Sequence, residues 1–364
     1  STFSHFIAQP ITIQSRIFSE HIYQTRHDFS IYLTSEIIID TCIFESITVI
    51  SSYTPGGAIC YRQPLSTLFV YSTFFSHCYV SGNGGAIFYC SNSNGFQTTN
   101  GYTDSTKIGA LTYFYSHYNC YCNCTAKISD TSSSERQYSG YGSVMAIAAF
   151  LVEVNYSTAI HCPSQIYWNQ STAPSYGAQF DLKTDDIKCS YLNTTYGYSY
   201  CCSGIECRNA LVGYFKFHNF ANEKGGFVTT FSNIKSQVVI SSCNIINTTL
   251  KYFNMGTSKC AIIHVVTHSC TISNFVIGSI QFINYPSTQP KLIASIGGGS
   301  PTIILANCQI DSSLNSASYF RQATTSNNHF TKHISPITIP QVDLYECKGN
   351  IIPPGMASIF FTTS

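Results

Sequence analysis

The sequence predicts an all-β chain wound as a right-handed, single-stranded parallel β-helix, a solenoid with disulfide-stapled loop excursions. Three observations predict it. Strand-forming residues dominate, with 26 Tyr and 25 Phe beside abundant Ile, Val, Thr and Ser, and branched or aromatic side chains suit a pleated surface. A Gly-Gly-Ala-Ile phrase recurs. So does a second phrase, in which a strand ends on a polar residue followed by Cys or Asn and then one or two apolar residues. An antiparallel sandwich, which also joins short apolar strands by Gly turns, is the alternative.

Residues 1–30 are expected to cap one end, residues 31–335 to form the stack, and residues 336–364, with Pro353-Pro354-Gly355, to cap the other, because an open sheet edge invites pairing with other chains. Within the stack the first phrase is clearest at Gly56-Gly57-Ala58-Ile59-Cys60 and Gly84-Gly85-Ala86-Ile87-Phe88. Weaker echoes start at Gly109, Gly142, Gly177 and Gly225. Their intervals fit one to two turns of about 20 to 35 residues each. The second phrase reads Asp40-Thr41-Cys42-Ile43-Phe44, Ser76-His77-Cys78-Tyr79-Val80, Ser242-Cys243-Asn244-Ile245, Ser269-Cys270-Thr271-Ile272 and Asn307-Cys308-Gln309-Ile310. Small or amide residues stacked at equivalent corners of successive turns would produce it. In the run from Gln237 to Ile246, Val238, Ile240 and Ile245 are expected to face inward around a corner at Ser242 to Asn244. Ser91 to Lys107 and Ser129 to Tyr141 read as surface loops, and 161–207 as a Cys-rich excursion.

The Gly-Gly-Ala-Ile phrases, with an aromatic and a Cys or Asn corner downstream, resemble the repeats of polymorphic outer-membrane-protein-like chains and of protist surface parallel β-helix proteins. The two phrases at Gly56 to Cys60 and Gly84 to Phe88 carry the resemblance. It implies a surface-exposed β-helix used in adhesion or coat formation. The chain departs from the bacterial pattern in having no C-terminal barrel signal.

Composition narrows the function. Only 10% of residues are charged and the net charge is +1, which excludes both a basic nucleic-acid footprint and an acidic tail. The 17 cysteines predict disulfides made in an oxidising compartment, and their odd number leaves one thiol over or bridged to another chain. The candidates are Cys42, Cys60, Cys78, Cys90, Cys120, Cys122, Cys124, Cys162, Cys189, Cys201, Cys202, Cys207, Cys243, Cys260, Cys270, Cys308 and Cys347. Glycan acceptor patterns start at Asn123, Asn155, Asn169, Asn193 and Asn247. No apolar run reaches the ~18 residues of a membrane span. The start at Ser1 is expected to be that of a mature secreted chain whose signal peptide has been removed.

Candidate chemistry is sparse. Cys120, Cys122 and Cys124 alternate, which predicts one shared face and favours disulfides over zinc. Adjacent Cys201 and Cys202 are expected to take separate partners. Asp185-Asp186, near Lys183 and Lys188, is the one adjacent acidic pair, and it reads as a solvated turn before it reads as a catalytic pair. His264/His268 and His329/His333 have ligand spacing only on a helix, whereas these segments read as strand. Gly297 to Gly299 reads as a turn. Most Phe and Tyr residues are expected in the core, with exposed sugar-stacking platforms as the other use. The expected function is an extracellular structural or adhesive surface protein, self-assembling into a coat or filament or binding another surface protein. The alternatives are a polysaccharide-active enzyme of pectate lyase or glycoside hydrolase type, and a carbohydrate-binding module. No catalytic residue, cofactor, metal, nucleic acid or membrane-spanning segment is expected.

Overall fold

Five-residue strands that alternate apolar and polar residues bury every second side chain, and stacking such strands in register lines up the buried ones. Glu36–Asp40, Thr67–Tyr71 and Tyr113–His117 follow this rule, sending Ile37, Ile39, Leu68, Val70 and Phe114 inward. The computed structural model describes residues 11–14, 17–18, 27–28, 35–40, 42–50, 55–90, 111–127, 142–165, 178–208, 212–231, 237–251, 261–265, 269–285, 290–295, 302–320 and 323–339. Across these the chain is all-β with parallel sheets.

The first ladder runs through Ile11–Gln14, Glu36–Asp40, Thr67–Tyr71, Tyr113–His117, the first half of Leu151–Ile160 and of Asp186–Thr195, Val212–Lys216, Gln237–Ser241, Ser269–Ser273, Thr302–Ala306 and Ala323–Ser326. The second runs through Ile17–Phe18, Ile43–Glu45, Phe74–Ser76, Cys120–Cys122, the second halves of the two long strands, Asn219–Ala221, Asn244–Ile246, Val276–Gly278, Gln309–Asp311 and His329–Thr331. The third holds His27–Asp28, Ile59–Arg62, Ile87–Cys90, Met145–Ala148, Phe180–Lys183, Tyr198–Arg208, Lys224–Phe231, Ile263–Val265 and Ile293–Ser295. A small sheet of Thr48–Val49, Tyr79–Val80, Thr125–Lys127 and Ser164–Gln165 lies between the second and third in the early circuits. The chain visits the ladders in turn and returns to the first one rung further on.

Left-handed residues make the corners. Between the first and second ladders stand Ser72, Tyr118, Tyr156, Tyr191, Phe217, Ser242, Asn274, Asn307 and Asn327, with φ from 45° to 59°. Ser and Asn are ordinary there, but aromatic residues pay a steric cost. The four aromatic ones stack on each other, with ring centroids 5.0, 4.4 and 4.8 Å apart, which offsets that cost. The residue after each corner points inward, giving a buried column of Thr73, Asn119, Ser157, Leu192, His218, Cys243, Phe275 and Cys308. The second corner repeats the device, and its inward column includes Cys78, Cys124, Cys162, Gly197, Glu223 and Thr248.

This explains both sequence phrases. Cys42, Cys78, Cys243 and Cys308 are inward corner residues, and Val238, Ile240 and Ile245 are buried around Ser242 as expected. Ser269-Cys270-Thr271-Ile272 is different, since it lies inside the strand Ser269–Ser273. In the Gly-Gly phrase the first glycine supplies a positive φ, 81° at Gly56 and 74° at Gly84. The second permits close stacking: a Cβ on Gly57 would stand 1.9 Å from Gly85 O, and one on Gly85 1.9 Å from Ser143 O. The echo at Gly109 lies outside the described residues.

Two expectations are corrected. Cys42, Cys60, Cys78, Cys90, Cys122, Cys124, Cys162, Cys189, Cys207, Cys243, Cys270 and Cys308 stand as buried thiols, and no two described cysteines lie at disulfide distance. Many of them are rung residues. The Sγ atoms of Cys78, Cys124 and Cys162 contact the carbonyls of Phe44, Phe75 and Tyr121 at 3.8, 3.7 and 3.5 Å, so these thiols act as small apolar side chains with a weak donor. The stretch 161–207 is not an excursion throughout: Phe180–Lys183, Asp186–Thr195 and Tyr198–Arg208 take regular places in the ladders. The expected loops at 91–107 and 129–141, Gly297 to Gly299, and most of both caps lie outside the described residues. Among the described residues no helix is long and apolar enough to cross a membrane.

Candidate functional site

Each ladder presents an outward face, and the three faces differ. On the third, the register aligns Ala146, Asp181, Glu206, Thr229 and His264 in one row, and Ala148, Lys183 and Arg208 in the next. Asp181 and Glu206 thus occupy adjacent rungs, about 4.8 Å apart, with Lys183 in the neighbouring row. Asp181, Glu206, Lys183 and His264 are all buried despite facing outward. This arrangement is a covered polar layer.

The first ladder keeps an open face. Its outward rows are Thr67, Tyr113, Leu151 and Asp186; Ile38, Phe69, Tyr115, Glu153, Lys188 and Tyr214; and Asp40, Tyr71, His117, Asn155, Ser190 and Lys216. All are half-buried or exposed. Phe69 and Tyr115 stack at 5.0 Å with planes 10° apart, Tyr71 meets His117 edge-on at 5.6 Å, and Tyr113 flanks Tyr115 at 6.5 Å. Glu153 anchors the polar side: Asn155 Nδ2 donates to Glu153 Oε1 at 2.7 Å, and His117 Nε2 lies 3.2 Å from the same oxygen. Ser190 Oγ in turn donates to Asn155 Oδ1. Lys216 Nζ stands 5.8 Å from the centroid of the Tyr214 ring.

Burial disfavours the charged forms of Tyr71, Tyr115 and His117 on this face. Burial, then neighbouring Tyr115 and Glu153, raise the pKa of Tyr71. Burial, then Glu153 and Tyr113, raise that of Tyr115. Burial lowers the pKa of His117, and Glu153 opposes the shift. The result is a flat surface of ring faces and protonated phenols with a fixed carboxylate acceptor. Such a surface suits a ligand that has apolar ring faces and many hydroxyls.

The sequence-predicted residues are dispersed. Asp185 occupies the turn from the third ladder to the first, where burial raises its pKa, and Asp186 opens the first-ladder strand Asp186–Thr195. Lys183 joins the covered third face and Lys188 the open first face, so the four do not converge. Cys120 and Cys122 share an outward face, but Cys124 points inward because left-handed Asn123, φ 52°, turns the chain between them. Of the glycan acceptors, Asn247 is exposed and Asn123, Asn155 and Asn193 are half-buried, while Asn169 lies outside the described residues. His264 is buried, His329 and His333 are exposed, and no metal-holding group of His, Cys, Asp or Glu occurs among the described residues. Sequence reasoning missed the open platform. Its signal was present in Thr67–Tyr71 and Tyr113–His117, where aromatic residues occupy the outward phase of an alternating strand. No family model matches this chain, and no curated protein or solved structure is similar to it.

Proposed function

We propose that the chain is a right-handed parallel β-helix that serves outside the cell as an adhesive element, and that the open face of its first ladder binds a carbohydrate polymer without turning it over. The observation that carries this reading is the platform of Phe69, Tyr71, Tyr113 and Tyr115 beside the Glu153–Asn155 pair. Ring faces spaced by the rungs of a ladder match a repeating ligand, which a single pocket would not. The right-handed sense follows from the strong preference of parallel crossovers. An extracellular setting is supported by the exposed glycan acceptor Asn247. The resemblance to surface β-helix repeats points the same way.

Binding of the purified protein to arrayed glycans and to insoluble polysaccharides, measured for the wild type and for Tyr115→Ala, tests the reading. The expected result is retention on at least one polysaccharide, weakened about tenfold or more by the substitution, as loss of a stacking aromatic implies. Equal binding by both proteins, or no retention on any glycan, would remove the platform from consideration. Release of reducing ends or unsaturated products would replace an adhesive with an enzyme.

A further inference from the structure

Past Thr331 the chain turns back along the outward face of the second ladder, held by three successive rungs. Gln309 Nε2 donates to His333 O at 3.4 Å, and Gln309 Oε1 accepts from Ser335 N–H at 2.8 Å. Ile334 packs over Gly278, where a Cβ would stand 2.6 Å from Ile334 Cδ1. Asn244 brackets Ile337, donating to its carbonyl and accepting from its N–H, both at 2.8 Å. The expected C-terminal cap therefore begins beside the stack and not over its end.

This path leaves Ala323–Ser326 and His329–Thr331 as the terminal strands of the first two ladders. Among the described residues no strand pairs with their outer edges. Ser326 O accepts from Asn307 N–H and His329 N–H donates to Cys308 O, so Ser326 and His329 bond back into the stack. Successive amides of a strand point to opposite sides, so those of Thr325 and Phe330 point off its end. The core column stops there too. Thr325 is registered on Leu305 and Phe330 on Ile310, both 0% exposed, yet Thr325 is exposed and Phe330 half-buried.

Charge or proline ordinarily blunts such an edge. Neither terminal strand has a Lys, Arg, Asp, Glu or Pro. Nor do Ile11–Gln14 and Ile17–Phe18, the rung at the other end, whose inner edges pair with Glu36–Asp40 and Ile43–Glu45. The two rungs also match in length. Setting Ala323 on Ile11 sets Ser326 on Gln14, His329 on Ile17 and Phe330 on Phe18, with no residue over. Asn328 holds the last corner in ladder geometry, accepting from Cys308 N–H at 2.9 Å and donating to Leu305 O at 3.0 Å.

We infer that the partner of the last rung is a second copy of this chain. Ala323–Ser326 and His329–Thr331 pair, parallel and in register, with Ile11–Gln14 and Ile17–Phe18 of the next molecule. Two ladders carry the junction, because the third side ends on the 3-10 turn Ala317–Phe320, where Tyr319 O accepts from Leu292 N–H at 3.1 Å. Different surfaces meet, so the contact repeats without closing and builds a filament. Its axial repeat is the eleven rungs of the first ladder, about 53 Å.

The inference stands on ladder register and not on glycan binding, so its failure leaves that reading untouched. Sedimentation velocity at rising concentration and electron microscopy of the full chain test it. The wild type should form linear oligomers with a repeat of about 53 Å. Thr325→Pro removes an N–H that points off the end, and Thr325→Lys sets a charge on the core column. Both should keep the wild-type circular dichroism and associate at least tenfold more weakly. A Thr325→Pro molecule retains its first rung, so a minor share of it should join wild-type filaments and shorten them. A wild type that stays monomeric, a closed dimer that does not grow, or a folded variant of either kind that assembles like the wild type would overturn the inference.

Discussion

His218 and Glu223 lie five residues apart in one circuit, both fully buried, and burial pushes their pKa values in opposite directions along the scale. His218 falls from 6.5 to about 3 because its charged form loses water. Glu223 rises from 4.5 to about 7 for the same reason, despite the 2.9 Å hydrogen bond that Gln179 Nε2 donates to it. For Glu223 the folded state keeps a proton that the unfolded chain has lost between pH 4.5 and about 7, so stability declines across that window, by about 3 kcal/mol in total. For His218 the unfolded chain binds the extra proton between about pH 3 and 6.5, so stability climbs there, by about 5 kcal/mol. The two slopes cancel between about pH 4.5 and 6.5. Considering these two groups, the wild type should gain about 2 kcal/mol from pH 3 to 4.5, stay level, and lose under ~1 kcal/mol above 6.5. Single substitutions separate the terms. Glu223→Gln should keep gaining up to pH 6.5, while His218→Leu, which copies Leu192 one rung earlier, should be level at low pH and then fall. Urea midpoints followed by far-ultraviolet circular dichroism at pH 3.5, 5.5 and 7.5 measure this. If the pH profiles of both variants run parallel to the wild type, the two groups do not titrate as buried residues and the reasoning fails.

Two further outcomes follow from the stack. Asn119 accepts from Thr73 N–H at 2.9 Å and donates to Val70 O at 2.8 Å, and Asn328 makes the same pair with Cys308 and Leu305 at 2.9 and 3.0 Å. Asn119→Ala should cost about 3 kcal/mol by stranding two buried backbone groups, and Asn328→Ala clearly less because the last rung is largely exposed; equal shifts in urea midpoint would contradict this. Gly57→Ala must push its Cβ against Gly85 O, so it should destabilise by about 3 kcal/mol in thermal melts, whereas Ala58→Gly should cost only ~1 kcal/mol.

Much of the architecture was legible because it is periodic. The glycine phrase encodes a dihedral and a close approach, and both occur together at Gly56-Gly57 and Gly84-Gly85, so these two phrases stand out in the sequence. The aromatic corners did not, because Tyr118, Tyr156, Tyr191 and Phe217 defy the usual preference at a left-handed position and are held there by stacking that only the assembled stack provides. Cysteine count misled for a related reason: inside a rung a thiol serves as a small apolar filler, and composition cannot separate that use from bridging. The alternation of Cys120, Cys122 and Cys124 predicts one shared face, but alternation holds only while the strand continues, and left-handed Asn123 ends it. The open platform was hidden by the many aromatic residues, since inward Phe44, Phe75 and Tyr121 stack at 5.1 and 5.0 Å much as Phe69 and Tyr115 do outside.

The corners impose a unit of length. Any circuit that enters and leaves through the same left-handed positions meets the same corner geometry above and below, whatever lies on its connecting segments. Deleting or duplicating a whole circuit, such as the one from Val212 to the residue before Gln237, would preserve register on either side and change the span by about 4.8 Å. The cross-section is therefore fixed by corner chemistry, while reach is adjustable in discrete steps, as on a ruler.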